Sequence, residues 1–584
     1  MLDLKIANGT LVDGTGAPPR AGDVGVRDGR IVALGRVSEP ARRELDAAGA
    51  IVAPGFVDLH THYDGQALWD AALAPSSWHG VTTVLMGNCG VGFAPLRPGD
   101  AGRLVRLMEG VEEIPGTALY EGLDWRWETF ADYLDRLDER PRALDVAAQV
   151  PHDPLRLYVM GERAALQEAA TPDDVAAMRA LVREALAAGA FGFSTGRTDT
   201  HRTSDGLDTP AARAAADELV AIASALRGLP YRVLSAVSDF DMFRGEEHFD
   251  PEFDVFEAMA RAAGRPLTLS TLERLGFPDQ WRRIVARVDR ARAAGLDLRM
   301  QIAPRGVGVL TGLRTTLNVL VAKPTYRALM HLPHAELVAA LRDPGVRAKI
   351  LAEPFLKVSE IDPSAPPQID QSIAMLDLIA YRMFELADPP DYEPPAEHSL
   401  GARAAARGVA PLEAIYDAML RDGGEGLVYF PIFNYNGGNL DAVAELLAHP
   451  AAHLGLGDGG AHVGTIADAA WPTFFLQHWA RDRPAARLPI ERAVRLLTAD
   501  PAAFLGLSDR GRLAEGLRAD LNVIDWRGLA LRRPHVVYDL PGGGRRLVQE
   551  ARGYVMTTVA GVPTLEHDRP TGATPGRLLR APSA

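Results

Sequence analysis

Short apolar runs, each followed by a stretch of helical periodicity, recur through the middle of this 584-residue chain. That alternation is the signature of a parallel sheet wrapped by helices. The runs fall at 51–59, 82–87, 144–150, 190–195, 231–237, 267–272, 298–303 and 453–457. They match the strand number of a closed parallel barrel, so the fold class expected is α/β, a (β/α)8 TIM-type barrel. One connecting helix is legible in detail. Thr171 suits the cap and Pro172 the first turn, Asp173 and Asp174 face the positive end of the dipole, and Gly189 can stop it. Val175, Met178, Leu181, Val182 and Leu186 supply one apolar stripe.

The ends of the chain have a different texture. Leu4–Ile6 alternates, and the run 24–32 is two apolar stretches around Asp28-Gly29, a hairpin signal. Similar strands return at 519–525 and 553–559. Both ends are expected to build one small β-sandwich domain, since termini commonly lie close together. The expected organisation is therefore residues 1–52 and 509–584 in the sandwich and 53–508 in the barrel. The stretch 305–452 is too long for an ordinary connection and reads as an insertion before the eighth strand, placed to shape the pocket.

A net charge of −14, with no Lys/Arg run, excludes a basic patch for nucleic acid. No run of about 18 apolar residues indicates a membrane span. The opening residues lack a charged head followed by an apolar stretch, which predicts a cytoplasmic protein. Cys89 is the single cysteine, so no intrachain disulfide forms. The expected partner is a small molecule, with self-association into a homo-oligomer left open.

Chemistry concentrates at the ends of the expected strands. His60 and His62 are two apart on an extended segment and point to one side, so both imidazoles converge at the barrel mouth. Two neutral imidazoles facing one point suit a metal. Cys89 ends the second strand among Gly87, Gly90 and Gly92; it is either a buried small hydrophobe or a thiolate ligand. Asp458, in Gly457-Asp458-Gly459-Gly460, ends the eighth strand, where a carboxylate can ligate a metal and accept a proton from water activated by it. The alternative is a simple Asp-Gly turn.

Three segments carry a resemblance: Val52 to Asp64 with its Asp58-Leu59-His60-Thr61-His62, Ser77 to Gly90 with Gly87-Asn88-Cys89-Gly90, and Gly189 to Gly196. They resemble the N-acyl-D-amino-acid deacylases (D-aminoacylases) of the amidohydrolase superfamily. The late stretches Leu496–Pro501, Gly511–Leu513 and Ala519–Leu521 look like the superfamily's closing signature. The resemblance implies one or two zinc ions, with His60, His62, Cys89 and Asp458 as ligands and Asp458 also as catalytic base. It further implies hydrolysis of a linear, non-peptide amide by zinc-activated water.

The departures are specific. The family's deacylases usually carry a histidine on the fifth strand and another on the sixth, in a His-Leu-Lys context. This chain reads Tyr231–Val237 and Leu269-Ser270-Thr271-Leu272-Glu273 there. The metal site then holds a single ion or recruits His152, His201 or His462. Glu273 stands where the family presents a substrate-binding lysine, and Arg305 after the seventh strand is a candidate for gripping an anionic group. Two further readings follow: a cyclic or uncharged amide as substrate, and a barrel that binds without catalysis.

Overall fold

The computed structural model describes residues 1–582 apart from 241–244, 364 and 366–368. Parallel pairing runs through two sheets. A three-stranded sheet joins Phe56–Asp58, Val81–Met86 and Asp145–Ala148. A six-stranded sheet then takes up Val150–Pro151, Gly192–Arg197, Val233–Ser238, Leu267–Ser270, Leu298–Ile302 and Ala452–Leu454 in sequence order. The third strand passes between the sheets, interrupted only at Gln149, and the ends meet where Thr61 bridges Gly459 in parallel and His62 N donates to Gly459 O at 2.7 Å. Every expected run therefore contributes a parallel segment.

The boundaries differ for local reasons. The expected strand 51–59 is two strands in two sheets, Ile51–Pro54 and Phe56–Asp58, separated at Gly55. A Cβ on Gly55 would lie 2.2 Å from Thr82 Oγ1, so only glycine fits where the chain changes sheets. The fifth strand begins at Val233 because Tyr231 has a left-handed φ of 49° and is exposed. The eighth ends at Leu454, since Leu456 and Asp458 are also left-handed, at 55° and 48°.

The helix Pro172–Ala187 starts as its sequence dictates. Thr171 Oγ1 accepts from Asp174 N at 3.2 Å while Asp174 Oδ2 accepts from Thr171 N at 2.9 Å. Met178, Val182 and Leu186 are fully buried, and Val175 and Leu181 half-buried, on the expected stripe.

Both chain ends enter one nine-stranded sheet, in which Ile51–Pro54 pairs antiparallel with Leu521–Ile524 and parallel with Leu2–Leu11. The hairpin Arg20–Arg27/Arg30–Gly35 turns at Asp28 and Gly29, both with positive φ. The stretch 305–452 contains a three-stranded antiparallel sheet of Val307–Thr311, Val428–Phe433 and Phe384–Glu385, with several helices and an apolar cluster of its own around Leu341, Ile415 and Tyr416. No helix among the described residues is long and apolar enough to cross a membrane.

Candidate metal and active site

The site is built where strands end. Asp58 closes the first strand, and its Oδ1 accepts from His60 N at 3.0 Å while Oδ2 accepts from Trp471 Nε1 at 3.0 Å. This fixes the chain as it leaves the sheet. Both imidazoles are then buried, with ring centroids 5.3 Å apart.

Cys89 arrives from the second strand through a loop that requires its glycines. The residue itself is left-handed, with φ 54°. A Cβ on Gly90 would sit 2.7 Å from Gly196 N, and one on Gly196 would sit 2.2 Å from Cys89 O. These two glycines allow the cysteine loop to lie directly against the fourth strand.

The donor atoms converge. His60 Nε2 is 3.2 Å from Cys89 Sγ and 3.2 Å from Asp458 Oδ1, and His62 Nε2 is 3.8 Å from the same carboxylate oxygen. Ligand atoms of His60, His62 and Cys89 all lie within 4.8 Å of one another, and all three residues are buried. Two imidazoles, a thiol and a carboxylate at these separations fit a tetrahedral, zinc-type donor set.

The electrostatics agree with that fit. Burial holds His60 down to about 4, and burial with the imidazoles of His60, His462 and His201 holds His62 well below the ordinary range. Both are neutral, as ligands must be. Burial, then the carboxylates of Asp458, Glu112, Asp153 and Asp64, push the Cys89 thiol well above its usual value. A bound cation is what would favour the thiolate there. Asp458 is itself raised to about 6, chiefly by burial.

His201 and His462 stand at the edge of this cluster, with rings 6.1 Å apart, and burial holds both below the ordinary imidazole range. The other candidates named from the sequence lie in different surroundings. His152 is buried with Nδ1 3.0 Å from Thr195 Oγ1 and Nε2 3.0 Å from Glu218 Oε1, so both ring nitrogens are engaged away from the cluster. Arg305 is buried against Asp468 at 2.5 Å and lies over the Tyr392 ring. Its guanidinium is committed to the protein interior. Glu273 is tied to the insertion: its N donates to Asn434 Oδ1 at 2.9 Å, its O accepts from Asn434 N, and its Oε2 accepts from Asn436 N at 2.8 Å.

Two further residues at the site belong to no motif in the sequence. Gln301, at the end of the seventh strand, places Oε1 2.6 Å from His60 Nδ1. Glu112 is buried with Oε1 3.1 Å from His62 Nδ1. Glu112-Glu113 falls at the C-terminal end of the helix Ala101–Glu112, where the dipole disfavours acids. On the fifth and sixth strands the register pairs Ser194 with Ser235 and Ser270 with Gln301. Ser235 and Ser270 are buried small residues with unpartnered hydroxyls.

The amidohydrolase family model matches residues 43–565, and the chain belongs to that family. Within it, the chain is similar to the D-aminoacylase of Alcaligenes xylosoxydans xylosoxydans, 30% identical over 586 residues that cover 100% of this chain and 98% of that protein. Its structure is similar to crystalline D-aminoacylase, with a TM-score of 0.64 at 28% identity over 99% of this chain and 100% of that one. It is also similar to the N-acyl-D-glutamate deacylase of Bordetella bronchiseptica complexed with zinc and a phosphonate inhibitor, with a TM-score of 0.64 at 27% identity and the same coverage.

Proposed function

We propose that this protein is a zinc-dependent deacylase of N-acylated D-amino acids or closely related linear amides. The observation that carries the reading is that His60 Nε2 lies 3.2 Å from both Cys89 Sγ and Asp458 Oδ1, in a chain similar over its whole length to D-aminoacylase. The parallel strands are read as a closed (β/α)8 barrel with this cluster at its C-terminal mouth, and the terminal sheet as part of a β-sandwich. Residues 53–508 form the barrel and 305–452 the inserted wall of its pocket.

His60, His62, Cys89 and Asp458 would hold the metal. When bound, zinc supplies Lewis acidity for a water and for the amide carbonyl. Asp458, raised towards neutrality by burial, takes the proton of the attacking water and returns it to the leaving nitrogen. His201 and His462 line the edge of the site, where neutral imidazoles can donate to substrate oxygen. Glu273 keeps negative charge on the insertion side, which favours leaving groups that place no carboxylate beside it.

The test is a hydrolysis screen over N-acyl-D-amino acids, their L-forms and the corresponding primary amides, before and after chelation. Zinc-dependent release of a D-amino acid or its amide is expected. Metal-independent turnover, or no cleavage of any linear amide, overturns the reading.

A further inference from the structure

Glu112 belongs to none of the roles above, yet it is among the most deeply buried carboxylates in the molecule, 1% exposed. It is the last residue of the helix Ala101–Glu112, and Val463 N donates to its carbonyl at 3.1 Å, which joins this helix end to the loop after Asp458. One side-chain oxygen, Oε1, lies 3.1 Å from His62 Nδ1. The other, Oε2, lies 3.9 Å from His462 Nε2.

The contact with His62 is close but unformed. His62 Nδ1, which faces Glu112 Oε1, is buried without a hydrogen-bond partner, and so is Glu112 Oε2 on the His462 side. A buried acceptor and a buried ring nitrogen left in this state each carry the desolvation cost of an unmade bond. With a metal on Nε2 the pair has one arrangement: His62 carries its proton on Nδ1, Glu112 accepts it, and the lone pair on Nε2 faces Asp458 and the cluster. The neighbouring ligand has the same arrangement already formed, with Gln301 Oε1 at His60 Nδ1 and Nε2 facing Cys89. The two histidines thus meet different partners, a neutral amide for His60 and a carboxylate for His62.

We propose that Glu112 is a positioning residue for the metal site, accepting the Nδ1–H of His62 and so committing Nε2 to the metal. The inference rests on the reading of His62 as a ligand. A carboxylate behind a ligating imidazole raises the basicity of the nitrogen that faces the ion and fixes the ring. It also adds negative charge next to a cation without adding a ligand. Glu113, the next residue, makes an internal control: it is equally an acid at the same helix end, but its Oε1 accepts from Thr465 Oγ1 at 2.7 Å, and His62 is not among its contacts.

The experiment compares Glu112→Gln and Glu113→Gln in the full chain, stripped of metal and titrated with zinc against a chromophoric chelator, with thermal unfolding recorded for each. Glu112→Gln is expected to weaken zinc binding about 10- to 100-fold, the range found for partners behind metal-bound histidines, and Glu113→Gln to leave it within about two-fold. Cobalt-substituted Glu112→Gln should also show altered ligand-field bands. A folded Glu112→Gln with wild-type zinc affinity and an unchanged cobalt spectrum overturns the proposal. Should the glutamine variant not fold, Glu112→Asp keeps the charge and withdraws it from His62; a wild-type affinity in that variant is equally fatal. His62→Ala separates the two levels of the inference. If it binds zinc as the wild type does, the ligand assignment has failed rather than the role of Glu112.

Discussion

His60 Nδ1 lies 2.6 Å from Gln301 Oε1, a contact between the segment that follows the first strand and the seventh strand that leaves Nε2 turned towards Cys89. The glutamine amide accepts the imidazole proton and sets the tautomer. Gln301→Leu keeps much of the volume and removes the acceptor. It should weaken zinc binding by about 10- to 100-fold, with a smaller effect on thermal stability of the metal-free protein. Chelator competition checks this, and unchanged affinity would show that the contact does not orient the ring.

Asp458→Asn should fold normally and lose turnover by a factor on the order of 100 or more, because an amide keeps the shape but cannot take a proton. Steady-state kinetics with metal content measured in parallel distinguish loss of the base from loss of the ion. A variant with zinc bound and most of its kcat intact removes Asp458 from the role of base.

Stability should depend on pH in a defined window. Burial pushes Asp58, Asp64 and Glu113 up to about 7 and Asp153 to about 8, so these groups stay neutral in the folded chain while the unfolded chain ionises them. Their contribution is complete at pH below about 4 and is lost as pH rises through 7 to 8. Buried His60 and His79, held near 4, and His201 and His453, held near 3, act oppositely, but chiefly below their ordinary value of about 6.5. The histidine contribution fades out by about pH 7.5, one unit above that value, and beyond it the carboxylates act alone. The Tm of chelated protein should therefore fall between about pH 6.5 and pH 8.5, and fall less with zinc present, since a nearby cation favours ionised carboxylates. A flat Tm for the chelated protein across that range would show that these acids are not held neutral.

Glu273 is buried against the insertion, and a substrate carboxylate about 4 Å from it would cost about 4 kcal/mol at an effective dielectric near 20. The ratio of kcat/KM for an N-acyl-D-amino acid over its primary amide should rise in Glu273→Lys. Glu273→Gln, which keeps an acceptor for Asn436 N, should move the ratio in the same direction. No change in either variant would place the substrate's carboxylate away from this residue.

The strand-end residues are legible in the sequence because period and position act together. His60 and His62 share a face two residues apart, and the glycines around Cys89 mark a loop pressed against its neighbour. The Asp28-Gly29 hairpin and the Thr171 cap are equally local. What the sequence does not reveal depends on long-range packing. Gln301 and Glu112 acquire meaning only when the seventh strand and the helix end at Glu112 are brought against the histidines, across 241 residues in the first case. Arg305 illustrates the converse. Its position after a strand suits anion binding, but Asp468, 163 residues later, takes its charge. The sheet inside 305–452 pairs Val307–Thr311 with Val428–Phe433, more than a hundred residues later, and only the Pro-rich breaks and helical patterns of that stretch are visible locally.

The metal dependence of hydrolysis is tested most directly by elemental analysis of purified protein combined with activity before and after chelation. At least one zinc per chain is expected, with loss of hydrolysis when it is removed and recovery when zinc is restored, and with His60→Ala and Cys89→Ala failing to recover. Metal-free protein from zinc-replete cells with full hydrolytic activity would contradict the assignment of a zinc-dependent deacylase.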